Sequence, residues 1–327
     1  MITEVFGMLS SRLSKCLMCC GLLLLSACRL TTHPVQAAQL GTPSSSDALL
    51  AVIDQPGPIE VETINASDWS IDRKGLINLD NPKAKAAGLK DGLEPIQIYF
   101  HALRHPERGL YIVDTGVERA LRDDPSHAAV SGTVANAFGV ERMNFHKPLA
   151  DYLNEAGTPL KGVLLTHLHA DHVLGLPDVP SSAALYVGAG EAEERGLLNA
   201  VVQSVMNKLL ENKAPLQELQ FKPDSAKRFE GVIDVFGDKS LWALKVPGHT
   251  IGSVAYLART PQGPVLMTGD TCHTAWGWQH QVEPGTFTVN REQNVNSLQR
   301  LEKLVQDHPS ISVRLGHQSL QAATKAQ

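Results

Sequence analysis

Gly162-Val163-Leu164-Leu165-Thr166-His167-Leu168-His169-Ala170-Asp171-His172 sets three imidazoles and a carboxylate within six residues at the end of an apolar run. If Val163 to Leu165 form a buried strand, the residues after it leave the sheet edge as a loop. Side chains alternate along extended chain, so His167 and His169 point the same way and one metal takes both. Asp171 and His172 then face a second position, and the stretch offers ligands for two cations. Imidazole nitrogen and carboxylate oxygen are donors that a borderline ion such as Zn²⁺ accepts at roughly 2.0–2.2 Å. Further donors recur downstream. Pro247-Gly248-His249-Thr250 follows the apolar run Leu241 to Val246, Thr268-Gly269-Asp270 follows Val265-Leu266-Met267, and Leu315-Gly316-His317 follows Ile311 to Val313. Each lies just past a strand-like run and beside a glycine, the way a sheet rim presents side chains on tightly turned loops.

Together with Tyr111-Ile112-Val113-Asp114-Thr115-Gly116 upstream, these motifs resemble the metallo-β-lactamase superfamily of binuclear metallohydrolases. They stand in that family's order and cover most of the chain as far as His317. The resemblance implies His167, His169 and His249 on a first metal, Asp171, His172 and His317 on a second, and Asp270 bridging both. It implies an αββα sandwich, two mixed sheets face to face with helices outside and the metals at one edge. Asp114 is placed behind the ligands, where a carboxylate accepts a hydrogen bond from a ligand or its loop. The bland alternative is an Asp-Thr-Gly turn without a metal role.

The chemistry implied is hydrolysis. Two divalent ions share a hydroxide, bring its pKa towards neutrality and polarise the scissile carbonyl or phosphoryl oxygen. Asp171 is then the general acid that passes a proton to the leaving group. Zinc is the default for this ligand set, although iron and manganese accept the same donors. In the lactone-cleaving relatives a tyrosine three residues after the bridging aspartate hydrogen-bonds the substrate carbonyl. His273 occupies that position here, either as the donor to a developing oxyanion or as an ordinary loop residue.

Several substrate classes fit poorly. True β-lactamases of this fold usually carry cysteine or serine where Asp270 stands. Nuclease branches add a domain and a basic surface, whereas this chain of 327 residues has a formal charge of −5, a pI near 6.2 and no Lys/Arg cluster, which argues against a nucleic-acid partner. A phosphodiesterase calls for cations near the ligands to grip the anion, and none adjoins them along the chain. A non-catalytic envelope lipoprotein of this fold would be expected to have lost ligands. The best remaining reading is a lactonase or esterase acting on small neutral or amphipathic molecules, acyl-homoserine lactones among them.

The chain begins with Arg12 and Lys15 and a hydrophobic stretch from Cys16 through Leu25, too short to span a bilayer comfortably. Residues 1–27 therefore read as a signal peptide. Its end, Leu25-Ser26-Ala27-Cys28, resembles the lipobox of bacterial lipoproteins. Acyl chains on Cys28 would anchor the protein to a membrane. Arg29 after the cysteine favours the outer membrane, facing the periplasm. Of five cysteines only Cys272 would remain free, so no disulfide is expected. Residues 28–50 have the Thr/Ser/Pro/Gln composition of a flexible tether, which puts the hydrolase domain at 51–327.

Within that domain, Ile59 to Ile64 and Ile96 to Leu103 read as first strands, and Leu110 to Val113 as the return strand of a hairpin. Leu197-Leu198, Val201-Val202, Val205-Met206 and Leu209-Leu210 form an apolar stripe at helical spacing. That helix, within 191–212, either packs on the sandwich or walls the active site. Trp276 and Trp278 either line a pocket or pack, Cys272 reads as a small packing residue, and Asn294 to Gln306 reads as a final amphipathic helix.

Overall fold

A computed structural model describes residues 29–195 and 199–320. The signal segment 1–27, Cys28, Leu197 and Leu198 lie outside the described residues. In chain order the strands are β1 (Val35–Ala37), β2 (Thr42–Ser44), β3 (Glu60–Asp72), β4 (Leu93–His105), β5 (Gly109–Val113), β6 (Asn144–Phe145) and β7 (Leu160–Leu164). They continue with β8 (Ala184–Val187), β9 (Leu216–Glu218), β10 (Val232–Asp234), β11 (Leu241–Lys245), β12 (Val254–Thr260), β13 (Gly263–Met267) and β14 (Ser312–Arg314). Among the described residues they form a mixed sheet in the order β1-β9-β8-β7-β5-β4-β3-β6 and a second in the order β14-β13-β12-β11-β10-β2.

The side chains of β11 show why the sheets stack. Leu241 and Ala243 join Leu103, Val113 and Leu164 of the first sheet in a cluster between the sheets. Trp242 and Leu244 point the other way, onto Leu301 and Leu304 of the helix Arg291–Asp307. β7 divides likewise, with Leu164 between the sheets and Val163 in the outer cluster that holds Leu149 and Tyr152 of the helix Leu149–Ala156. A strand covered on both faces reads as an unbroken apolar run. The result is four layers, helix, sheet, sheet, helix.

β3 and β4 pair over longer stretches than their apolar cores suggest, from Glu60 opposite Arg104 to Asp72 opposite Leu93. β4 and β5 form the expected hairpin, His105 opposite Gly109. In the helix Asn199–Leu209 and just beyond it, Met206, Leu209 and Leu210 are buried in the outer cluster. At roughly 2 kcal/mol for each fully buried side chain, that packing is enough to fix the helix.

The tether reading of residues 28–50 is corrected. β1 pairs in parallel with β9, Val35 opposite Leu216, and β2 pairs antiparallel with β10, Thr42 opposite Asp234. Leu49 is fully buried beside Trp242 and Leu244. Edge strands need only backbone partners, which polar Thr, Ser and Gln do not obstruct, so composition gave no sign of them. The folded domain thus includes residues well before 51.

Candidate active site

Four loops, each following a strand, meet at one rim of the sandwich. Thr166 to His172 come after β7, Pro247 to His249 after β11, Thr268 to Asp270 after β13 and Leu315 to His317 after β14. Gly248 has φ +136°, and a Cβ there would lie 2.2 Å from the Asn294 amide nitrogen, so only glycine lets the loop turn against that helix. A Cβ at Gly316 would stand 2.0 Å from Asp270 Oδ1. The glycine beside each of these donors is therefore a packing requirement.

All seven expected ligands come together in two groups that share Asp270, His167/His169/His249/Asp270 and Asp171/His172/His317/Asp270, with ligand atoms within 4.8 Å of one another in each. In the first, His249 Nε2 lies 3.1 Å from His167 Nε2 and 2.8 Å from His169 Nδ1. Asp270 Oδ2 is 3.7 Å from His167 Nε2 and 3.5 Å from His249 Nε2. In the second, the same Oδ2 is 3.2 Å from both His172 Nε2 and His317 Nε2, and Asp171 Oδ2 is 3.2 Å from His317 Nε2. Donors at about 2.0–2.1 Å from a tetrahedral ion stand about 3.3 Å apart. His172 Nε2 and Asp270 Oδ1 are buried without a hydrogen-bond partner, a cost that a bound cation removes. The donor set therefore fits divalent metal ions.

The groups differ in charge. Burial, reinforced by neighbouring imidazoles, holds His167 and His249 well below the ordinary histidine pKa, as neutral ligands. Burial opposes protonation of His172 and His317 too, but carboxylates outweigh it. Asp270 and Asp114 raise His172 well above its usual value, and Asp270 and Asp171 raise His317 to about 10. Asp171 is pushed up by burial, yet His172 and His317 hold it below the usual carboxylate range.

Asp114 sits behind this second group in the left-handed region, φ 58°. Its carboxylate accepts from the Thr166 amide at 2.8 Å and from His172 Nδ1 at 2.8 Å. That leaves His172 Nε2 free for a metal. His317 Nδ1 donates to the Gln97 carbonyl of β4 at 3.0 Å.

His273, read either as an oxyanion donor or as a loop residue, has both ring nitrogens against protein acceptors. Its Nδ1 is 3.1 Å from the Leu76 carbonyl, which can only accept, so Nδ1 carries the proton. Its Nε2 stands 3.0 Å from Asp270 Oδ2, a second acceptor. Cys272 packs with Ala275, Leu298 and Leu315, and burial raises its thiol pKa. Trp276 stacks on His280 at 4.3 Å and Trp278 packs against the outer helix layer.

A cavity of about 450 Å³ opens over the ligands. His169, Asp171, His249, Asp270, His273 and His317 form its floor; Trp69, Ile71, Leu76, Phe138, Val202 and Phe287 form an apolar wall. The helix Asn199–Leu209 thus does both things weighed for it: Met206 and Leu209 pack, and Val202 lines the cavity. Arg142 also reaches the cavity, its Nε donating to the Ser70 carbonyl at 3.2 Å. Sequence reasoning missed it because it is remote from every ligand along the chain. It also missed Glu191, whose carboxylate bonds the loops that carry His167, His169 and His249. The one available signal was an acid placed directly after the apolar strand β8 and Gly190.

The chain is 33% identical over 137 residues to Gamma-lactamase FDB1 of Fusarium pseudograminearum, a match covering 38% of this chain and 32% of that protein. It therefore spans about a third of the length of that curated relative. With the N-acyl homoserine lactonase AttM of Rhizobium johnstonii it shares 33% identity over 227 residues, 68% of this chain and 82% of the relative. A crystal structure of an N-acyl homoserine lactone hydrolase, with the product N-hexanoyl-L-homoserine at its catalytic metal centre, superposes with TM-score 0.57 at 18% identity, covering 83% of this chain and 97% of that one. That likeness carries the fold. Residues 94–317 match the sequence profile of the metallo-beta-lactamase superfamily, and with the rim geometry above, the chain belongs to that superfamily.

Proposed function

We propose that this chain is a hydrolase that holds two divalent ions, zinc by preference, in the two groups sharing Asp270, and opens lactones or cleaves esters that bear an apolar arm. N-acyl homoserine lactones are the first class to test. The observation that carries the reading is the cavity, whose floor presents the donors His169, Asp171, His249, Asp270 and His317 and whose wall is Trp69, Ile71, Leu76, Phe138, Val202 and Phe287. Divalent ions in such a site lower the pKa of water and polarise a carbonyl. The apolar wall then holds the acyl arm and excludes water from the reacting ester. Asp171, ionised and with a fifth of its side chain exposed beside the cavity, would take a proton from the attacking water and pass it to the departing alkoxide.

Proton release by the purified protein is to be followed on γ-lactones, aryl esters, a γ-lactam, a cephalosporin and a phosphodiester. Lactone or ester turnover that vanishes in Asp270→Ala and after chelation supports the proposal; turnover confined to the other classes rejects it. Arg142 on the cavity wall makes the phosphodiester the strongest competitor. We further propose that Cys28 is lipidated and anchors the protein at the outer membrane facing the periplasm. Labelling of cells with an alkyne fatty acid should mark the full chain and fail with Cys28→Ala.

A further inference from the structure

Glu191 is fully buried, and no Lys or Arg pairs with it among the described residues. Burial, with Glu194 adding to it, pushes its carboxyl up to about 7. An acid placed this deep costs stability unless its oxygens are satisfied. Both oxygens are. Oε1 accepts from the Leu168 amide at 2.7 Å, and Leu168 lies between His167 and His169. Oε2 accepts from Thr250 Oγ1 at 2.7 Å and from the Gly252 amide at 2.9 Å, and Thr250 follows His249. One carboxylate thereby ties the loop bearing two donors of the first group to the loop bearing the third.

The packing around it leaves little slack. A Cβ at Gly252 would fall 2.6 Å from Glu191 Cβ, and one at Gly188 would fall 1.8 Å from the Gly252 carbonyl oxygen. Thr250 Oγ1 also meets Ser253 Oγ at 2.7 Å, which extends the brace along the His249 loop. Among the described residues no hydrogen bond joins Glu191 to a side chain of the second group, although Asp171 and His172 follow His169 on the same loop. That group's rings are gripped by Asp114 and the Gln97 carbonyl instead.

We propose that Glu191 is a positioning residue for the first metal site: it fixes the spacing of His167 and His169 from His249, and so sets that site's affinity for its ion without touching the second. This rests on the metal reading of the donor set. Glutamine at 191 can keep the Leu168 bond and turn its amide to Thr250, but it opposes the Gly252 N–H with a second donor.

The test is competition of the full protein against a chromophoric chelator, with zinc and with cobalt, for wild type, Glu191→Gln, Glu191→Ala and Thr250→Val. Removing a residue that orients ligands lowers metal affinity about 10- to 100-fold. One of the two binding steps should weaken by about that factor in Glu191→Ala, less in Glu191→Gln and least in Thr250→Val, while the other step stays within twofold. Cobalt absorption should change in the weakened step alone. Equal weakening of both steps, or unchanged affinity with only a lower melting temperature, overturns the proposal and leaves Glu191 a brace of the fold. A wild-type protein that binds no ion overturns the metal reading, and the proposal falls with it.

Discussion

The two donor groups use the same residue types but are held in place by different means. In the first, the loops are tied together through Glu191, and the rings meet hydroxyls rather than a carboxylate, His167 Nδ1 at 3.1 Å from Thr166 Oγ1 and His249 Nδ1 at 3.4 Å from Thr288 Oγ1. In the second, the rings are gripped directly, His172 by Asp114 at 2.8 Å and His317 by the Gln97 carbonyl at 3.0 Å. Burial keeps His167 and His249 neutral, whereas carboxylates draw protons onto His172 and His317. One group is preorganised by backbone geometry and ready for a cation; the other is organised by charge and must release protons to bind one.

The largest effect should come from the atom common to both groups. Asp270→Ala removes it, and turnover should fall at least about 1000-fold, about 4 kcal/mol of transition-state stabilisation. Metal analysis should show both ions weakened; loss of one ion alone would break the view of Asp270 as shared.

A pH series separates the groups next. In the metal-free protein His317, raised to about 10, is protonated at every lower pH. His172, raised well above its usual value, carries a proton too, so an ion entering the second group displaces both and its apparent affinity should rise by up to about 100-fold per pH unit between about pH 6 and 9. The first group's histidines, held below their usual pKa, displace none there, so its affinity should stay nearly flat. Parallel pH slopes in a chelator titration would erase the distinction.

Asp114→Asn sharpens the same contrast. Asparagine tolerates the left-handed backbone and can still accept from His172, but its Nδ2 then opposes the Thr166 amide, so the charge and one hydrogen bond are lost. Affinity in the second group should drop about 10-fold, with the first unchanged. The smallest effect is expected at the wall. Val202→Ala should cost about 1 kcal/mol of arm binding, read as a roughly fivefold higher KM for a decanoyl than for a butanoyl lactone relative to wild type, with metal content unaltered.

Much of the rim was legible without coordinates. His167, His169, Asp171 and His172 announce themselves because ligand chemistry and strand periodicity are local, and the glycines at 248, 269 and 316 mark where the chain turns. The buried strands β7 and β11 were legible for the same reason, their apolar runs being covered on both faces. What escaped depended on partners far away in sequence. Residues 35–50 carry a tether's composition, yet the exposed edges of β9 and β10 recruit them. The two readings of His273, oxyanion donor or ordinary loop residue, turn on its partners, and the Leu76 carbonyl that takes its Nδ1 proton lies 197 residues away.

The sequence by itself determined which side chains have the chemistry to hold cations and that they lie at strand ends, since residue type and period are written along the chain. The family resemblance already implied a shared Asp270 and an Asp114 behind the ligands; only the tertiary structure decided that Glu191 ties the loops of the first group and that Trp69, Phe138, Val202 and Phe287 face the ligands. Those relations join residues from different strands, loops and helices, and they exist only once the burial of two sheets and their covering helices has brought those segments to one edge.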